Sequence, residues 1–327
     1  MESLIKREID QELIIAIVEA EFNTAVSTQD ITPLTAGWFN TAYAIHLPTE
    51  KSDVVLRITP PPNIRVLTYE KGLMRREVNL HLRLQKSGII PIPQIRAYNF
   101  AQNIIPQDYM FVAKLEGTPL DQIYKQLNDK AKAQIITQLG TICASINQIA
   151  GEQFGYAGTT LAANDWPTAY TKMVFALLAD GEDLAVKLPV PIDEIRTLYQ
   201  EAIPLLPDIE RPYLSHFDLW LPNIFVIKEN GRWQIEAIID WERAFWGDPQ
   251  ADTVIANNPF GDVFWQGYGR KPESSPAQQK RFALYRLYLW LIMLIEAKIR
   301  FADADHLPWT RDQFIHDWRF LTNAKIK

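Results

Sequence analysis

Cysteine is almost missing from this chain. Cys143 is the single example among 327 residues, which rules out an internal disulfide and any zinc or iron–sulfur centre built on several thiolates. Its place in the helical stretch 133–150 marks it as a small buried apolar side chain. Glycine is scarce too, at 14 residues, and Gly37 stands alone instead of opening a G-x-G-x-x-G run. Long apolar runs are absent: the longest, 287–295, is bounded by Arg286 and Glu296 and falls far short of the roughly 20 residues that span a bilayer. Basic clusters are lacking as well, and the formal net charge of −6 excludes a nucleic-acid partner, because phosphate backbones are gripped by grouped Lys and Arg. Residues 1–10 carry Glu2, Lys6, Arg7, Glu8 and Asp10 where a secretory signal needs an apolar core. These absences lead us to expect a soluble cytoplasmic protein, monomer or homodimer, with no nucleic-acid and no membrane partner.

What is present is enough apolar sequence, 47% of residues, to bury one large core or two joined ones. Residues 2–22 place Leu4, Ile5, Leu13, Ile14, Ile17, Val18 and Phe22 at helical spacing. The period then changes, and 41–47 and 53–58 predict two strands of a hairpin, preceded by Gly37 and joined by the turn-rich 48–52. Pro60, Pro61 and Pro62 break regular structure before a second helical pattern over 69–85. An apolar strand, 109–115, stops at Glu116-Gly117, and we place a lobe boundary there: 1–115 and 116–327. After it the spacing predicts helices over 120–127, 129–150, 167–178, 192–203 and 278–301. One β island interrupts them, at 213–214, 224–228 and 233–240, with Asn230-Gly231 as a hairpin turn. The expected class is α+β, a β-rich N-terminal lobe and a mostly helical C-terminal lobe.

The β island holds the chemistry. It reads Leu214-Ser-His216-Phe-Asp218-Leu-Trp-Leu-Pro222-Asn223-Ile-Phe-Val and then Ala237-Ile-Ile-Asp240-Trp-Glu242. Phosphoryl transfer needs a carboxylate to take a hydroxyl proton and hard oxygen ligands to hold magnesium on the phosphates. Asp218, Asn223 and Asp240 supply both. The hairpin would bring Asn223, just before one strand, beside Asp240, at the end of the other. An unpaired carboxylate among Phe217, Leu219, Trp220 and Leu221 is costly, so Asp218 should have a function.

This order resembles the aminoglycoside phosphotransferase and choline kinase branch of the bilobal protein-kinase-like fold, over nearly the whole chain. Members typically show H-G-D-x-x-x-x-N, I-D-W-E and G-D-P-x-x-D. Here stand His216 to Asn223, Ile239-Asp240-Trp241-Glu242, and Gly247-Asp248-Pro249-Gln-Ala-Asp252. The resemblance implies Asp218 as catalytic base, Asn223 and Asp240 as Mg2+ ligands, His216 as a brace for the loop, and Asp252 as a buried structural acid. It further implies that Gly37, Asn40 and Thr41 belong to a short phosphate-covering loop. Arg57 stands where kinases place the lysine on the α- and β-phosphates, with Glu77 as its helix partner. The stretch 109–117 is similar to the hinge, whose Ala113 carbonyl and Leu115 amide would read the base of ATP or GTP. The implied activity is transfer of the γ-phosphate to a hydroxyl of a small molecule, an antibiotic such as an aminoglycoside or a metabolite.

Three departures stand out. Phe217 occupies the usual glycine, Trp220 a place often held by histidine, and Arg57 the lysine, which guanidinium replaces with different shape. Arg57 and Phe217 leave open a catalytically weak, kinase-like nucleotide-binding protein. A different chemistry would use His216 and Asp218 as iron ligands of a non-haem oxygenase, with His306 or His316 as the distal ligand. The helical sequence after Asp252 speaks against its usual β-barrel. The stretch 284–299 is apolar all round and reads as core, although Trp290, Glu296, Asp303, Asp305, Trp309, Asp312 and Asp317 are candidates for walling a pocket for a cationic acceptor.

Overall fold

The structure, a computed structural model, describes residues 3–50, 53–301 and 307–323. It divides into two units: one of Met1–Val66, Gly72–Glu116 and Ile299–Ala302, the other of Leu67–Lys71, Gly117–Lys298 and Asp303–Lys327.

In the first unit, alternation builds the sheet. The helix α1 (Gln11–Phe22) is followed by β1 (Ile31–Leu34), β2 (Thr41–Ile45), β3 (Val54–Ile58), the helix α2 (Leu73–Ser87), β4 (Ile95–Asn99) and β5 (Tyr109–Ala113). The five strands pair antiparallel in the order β1-β2-β3-β5-β4. Because side chains alternate along a strand, Tyr43, Ile45, Val54, Leu56 and Ile58 share one face, where Ile14, Ile17 and Val18 of α1 pack on them. The other face presents Val55, Met110 and Val112 to Met74 and Val78 of α2. Arg57, two residues after Val55, is therefore on the α2 side.

The first helix starts later than the spacing of apolar residues suggested. Asp10 caps it through Glu12 N, and the residues before it run along the sheet, with Arg7 N donating to Thr41 Oγ1 and Ile9 N to the Tyr43 hydroxyl. The second starts after Gly72, whose φ of +66° separates it from a 3-10 turn at Thr68–Glu70. Strands β1 and β4 lie at the sheet edges. Of their residues only Ile31 is buried, so neither shows an apolar alternation to read.

The second unit is mainly helical. Its elements are β6 (Thr118–Pro119), α3 (Leu120–Ile123), α4 (Asp129–Ile146), α5 (Trp166–Asp183), α6 (Ile192–Ala202), β7 (Tyr213–Ser215), β8 (Ile224–Glu229), β9 (Arg232–Ile238), β10 (Phe245–Gly247), α7 (Thr253–Asn257), α8 (Asp262–Tyr268), α9 (Pro276–Arg300, through Lys298 in this unit) and α10 (Pro308–Thr322). The hairpin β8–β9 closes on Asn230 and Gly231 with φ of +48° and +76°, the two-residue turn that matches strand twist. Gly117 lies so near β8 that a Cβ there would come within 2.5 Å of the Val226 carbonyl oxygen, which explains a glycine at the entry to β6. Cys143 is fully buried in α4. Helix α9 is core: Leu284, Leu287, Tyr288, Leu291, Ile292 and Ile295 are all buried. Among the described residues no helix is long and apolar enough to cross a membrane.

Candidate active site

Strand β7 delivers the chain to His216, which is completely buried and bonded on every side. Its backbone N–H donates to Asp252 Oδ2 at 2.9 Å, its Nε2 lies 3.0 Å from the Ile239 carbonyl, and its Nδ1 accepts the Asp218 N–H at 3.2 Å. The carbonyl needs a donor and the N–H an acceptor, so the ring is the neutral Nε2–H tautomer. Burial pushes its pKa down and keeps it so, although Asp252 pulls the other way. Both nitrogens are spent on backbone, which leaves none for iron; of the other histidines raised above, His316 is exposed on α10 and His306 lies outside the described residues. Asp252 is also fully buried, its carboxyl pushed up by desolvation, and it faces Val254 N at the start of α7.

Phe217 has φ of +63°, the left-handed region that costs an L-residue about 1–2 kcal/mol. Its ring is 1% exposed and packs at 5.0 Å from Phe245 and 5.6 Å from Tyr288. Burying an aromatic ring contributes about 1.5–3 kcal/mol, enough to hold the strained backbone. Where the resembling family has glycine, this chain keeps the glycine-like conformation and fills it with core.

Asp218 follows, and a short turn, with Trp220 N on the Asp218 carbonyl and Asn223 N on that of Trp220, folds the chain back. Asn223 then donates its amide Nδ2 to the Asp218 carbonyl at 2.9 Å and to its Oδ2 at 3.3 Å. With Nδ2 so used, Oδ1 is the atom Asn223 offers to a ligand. The paired strands bring Ile224 opposite Ile238, and Ile239 N donates to the Asn223 carbonyl at 3.0 Å, so Asp240 sits beside Asn223. Asp240 has φ of +66°, a turn that ends β9. Amide and carboxylate oxygens are the hard donors that magnesium takes, a cation commonly held by one or two protein oxygens with phosphate and water completing the shell. The pair fits it. Among the described residues no group of three or more His, Cys, Asp or Glu side chains forms a richer metal cluster.

The carboxylate of Asp218 is not unpaired, as its apolar neighbours suggested. Arg243 Nη1 lies 3.0 Å from Oδ1, and Nη2 of the same guanidinium lies 2.8 Å from Glu296 Oε2 on α9. The Tyr69 hydroxyl donates to Glu296 Oε1. Burial nonetheless raises the Asp218 pKa to about 6; Arg243 opposes the rise, while Asp240 and Glu296 add to it. A carboxylate poised there can accept a proton near neutral pH. Sequence reasoning missed Arg243 and Tyr69 altogether. Arg243 directly follows the I-D-W-E block, and a cation inside so apolar a stretch was the available signal; nothing in the spacing marked Tyr69. Glu296 was noticed only as a possible pocket wall. Of the acids suggested for that wall, Glu296 is matched by Arg243, and Asp317 by Arg286 at 2.5 Å and Trp290 Nε1 at 2.8 Å. Trp309 and Asp312 are exposed, and Asp303 and Asp305 lie outside the described residues.

In the first unit, Arg57 Nη1 lies 2.6 Å from Glu77 Oε1, with Glu77 fully buried on α2. Register places Thr41 opposite Ile58 and Ala42 opposite Arg57, so the loop before β2 adjoins that pair. In the loop Gly37 has φ of +79°, and Thr41 Oγ1 donates to the Arg7 carbonyl. Asn40 is buried with neither amide atom hydrogen-bonded among the described residues. Such an orphan costs about 1–3 kcal/mol and is a polar group waiting for a partner. Ala113 ends β5 opposite Val54, and Leu115, two residues on, is half-buried.

Fold and sequence agree with known proteins. The solved structure of aminoglycoside phosphotransferase APH(4)-Ia in complex with AMP-PNP and hygromycin B superposes with a TM-score of 0.62 at 18% identity, covering 95% of this chain and 99% of that one. The streptomycin–ATP complex of APH(2'')-IIa gives 0.59 at 14% identity, covering 98% of both chains. A Haemophilus somnus protein provisionally named fructosamine-3-kinase gives 0.65 at 17% identity, covering 93% and 96%. No curated protein matches the sequence. These likenesses define the class: an α+β, protein-kinase-like fold. The phosphotransferase enzyme family profile, APH, matches residues 30–282, and the chain belongs to that family.

Proposed function

We propose that the protein moves the γ-phosphoryl group of ATP or GTP to a hydroxyl of a small molecule, with Asp218 as base and Asn223 and Asp240 as ligands of Mg2+. The observation that carries this reading is the junction of the β8–β9 hairpin with the turn after β7: Asn223 is bonded to Asp218 and adjoins Asp240. Magnesium, when bound, neutralises phosphate charge. The chain's own part is to hold atoms. Oδ2 of Asp218 accepts the proton of the acceptor hydroxyl while that oxygen bonds to the γ-phosphorus, the bond to the bridging oxygen breaks, and the nucleoside diphosphate leaves. Arg57, steadied by Glu77, carries the α- and β-phosphates; Gly37, Asn40 and Thr41 cover them; the Ala113 carbonyl and Leu115 amide read the base.

The two aminoglycoside phosphotransferases named above were solved with adenine nucleotides and with hygromycin B or streptomycin, which supports a nucleotide donor and a hydroxyl-rich acceptor. Because Glu296 and Asp317 are already ion-paired, the acceptor need not be a polycation. A second reading, nucleotide binding with weak turnover, draws on Arg57 in place of lysine. A nucleotide-consumption screen against panels of hydroxylated antibiotics and metabolites, with Asp218→Asn as blank, tests the first reading; binding without any turnover above that blank would establish the second.

A further inference from the structure

The base of the proposed reaction is held by residues outside the three motif blocks quoted above. Guanidinium Arg243 forks between two carboxylates, Nη1 on Asp218 and Nη2 on Glu296, and its Nε is buried with no hydrogen-bond partner among the described residues. Its directed pairing thus goes to those two acids. Side-chain exposures of 9% for Arg243 and 4% for Glu296 keep water from competing. Glu296 is fixed in turn: Tyr69 donates to its other oxygen, and Tyr69 stacks on Tyr156 at 5.6 Å with planes 24° apart. The segment Leu67–Lys71 that carries Tyr69 is itself stapled, with Thr68 N and Oγ1 on the two oxygens of Asp180 at 2.7 and 2.9 Å and Leu67 N on Glu70 at 2.7 Å.

A carboxylate on a loop can rotate about its last torsion, and a base that does so misses the proton it must take. Here Oδ1 is claimed by the cation, and among the described residues Oδ2 meets the longer amide contact from Asn223. We propose that Arg243, braced by Glu296 and Tyr69, is a positioning residue that locks the Asp218 carboxylate so that Oδ2 alone faces the acceptor hydroxyl. This rests on Asp218 being the base. On this proposal Arg243 acts through Asp218, so its loss should lower kcat and leave nucleotide KM in place.

The test uses the intact protein and water as acceptor. Hydrolysis of Mg-ATP passes a water proton to Oδ2, joins the water oxygen to the γ-phosphorus and releases ADP and inorganic phosphate. Arg243→Lys keeps the charge but loses the fork; Tyr69→Phe removes one hydroxyl and leaves both ion pairs. We expect kcat to fall about 10- to 100-fold in the first and about 3- to 10-fold in the second, misplacement of a reacting group by a fraction of an ångström being enough. The KM for Mg-ATP and the melting temperature of Tyr69→Phe should stay within about twofold and a few degrees of wild type. Wild-type kcat in Tyr69→Phe and Arg243→Lys, or a loss that appears only in KM, overturns the proposal. If Arg243→Lys does not fold, Tyr69→Phe decides alone. Asp218→Asn is assayed beside them: if it still turns over, the base assignment falls first; if it is dead while the other two keep full kcat, only the positioning role is lost.

Discussion

Asn223 donates its side-chain amide to Asp218 twice, to the carbonyl at 2.9 Å and to carboxylate Oδ2 at 3.3 Å, so a candidate metal ligand and the candidate base orient each other. Asn223→Ala should therefore harm two things together. Magnesium-dependent nucleotide affinity should fall about tenfold or more and kcat should fall as well, whereas Asp240→Ala should act mainly on the magnesium dependence. Titrating Mg2+ against nucleotide binding in both variants checks this; unchanged magnesium dependence in Asp240→Ala would remove it from the ligand set.

Asp218 sets a pH limit. Its pKa stands at about 6, so turnover should decline as pH falls through that value and the base becomes protonated. The effect on stability has the opposite sense. The folded pKa lies above the ordinary 3.8, so the folded state favours the protonated form, and that contribution is full below pH 3.8 and gone once pH rises through about 6. At pH 7 the ionised carboxylate is then a cost, and Asp218→Asn should be more stable than wild type by about 1–3 kcal/mol, with the gap closing toward pH 4. Thermal melts across that range decide it; a variant less stable at pH 7 would show that the Arg243 pair outweighs burial.

Phe217→Gly should destabilise the protein even though it restores the residue common in the family. Relief of a positive φ returns about 1–2 kcal/mol, while emptying a fully buried phenyl site loses about 3–5 kcal/mol. Denaturant unfolding should show a net loss of about 1–4 kcal/mol. A stabilised variant would mean that the Phe245 and Tyr288 contacts contribute little.

Asn40 makes a different prediction. Removing its orphan amide in Asn40→Ala should leave stability unchanged or slightly raised and weaken nucleotide binding about tenfold. Calorimetric titration with Mg-ATP and a melting curve measure both. A large loss of stability with intact binding would assign Asn40 to the scaffold.

Much of this was legible in the sequence because local rules and global fold agree there. Asn230-Gly231 announced its hairpin, the change of period exposed β2 and β3, a continuous apolar run exposed β5, and the hairpin geometry predicted that Asn223 and Asp240 would adjoin. The edge strands β1 and β4 were invisible because a strand with almost no buried residue writes no pattern. The partners of Asp218 were hidden for another reason. Residues 69, 243 and 296 meet only after the segment Leu67–Lys71, the turn after β9 and the helix α9 have packed, and no sequence spacing encodes that meeting. The apolar setting of Asp218 suggested an unpaired carboxylate and hid the arginine that accompanies it.

The central claim is that Asp218 takes the acceptor proton in a magnesium-dependent phosphoryl transfer. The most direct test is single-turnover release of ADP from Mg-ATP, with and without an acceptor found in the screen, in wild type and in Asp218→Asn at pH 7.5. Turnover that needs Mg2+ and drops by a factor of about a hundred or more in Asp218→Asn, at unchanged nucleotide affinity, is the result expected. Equal rates in the two proteins would contradict it.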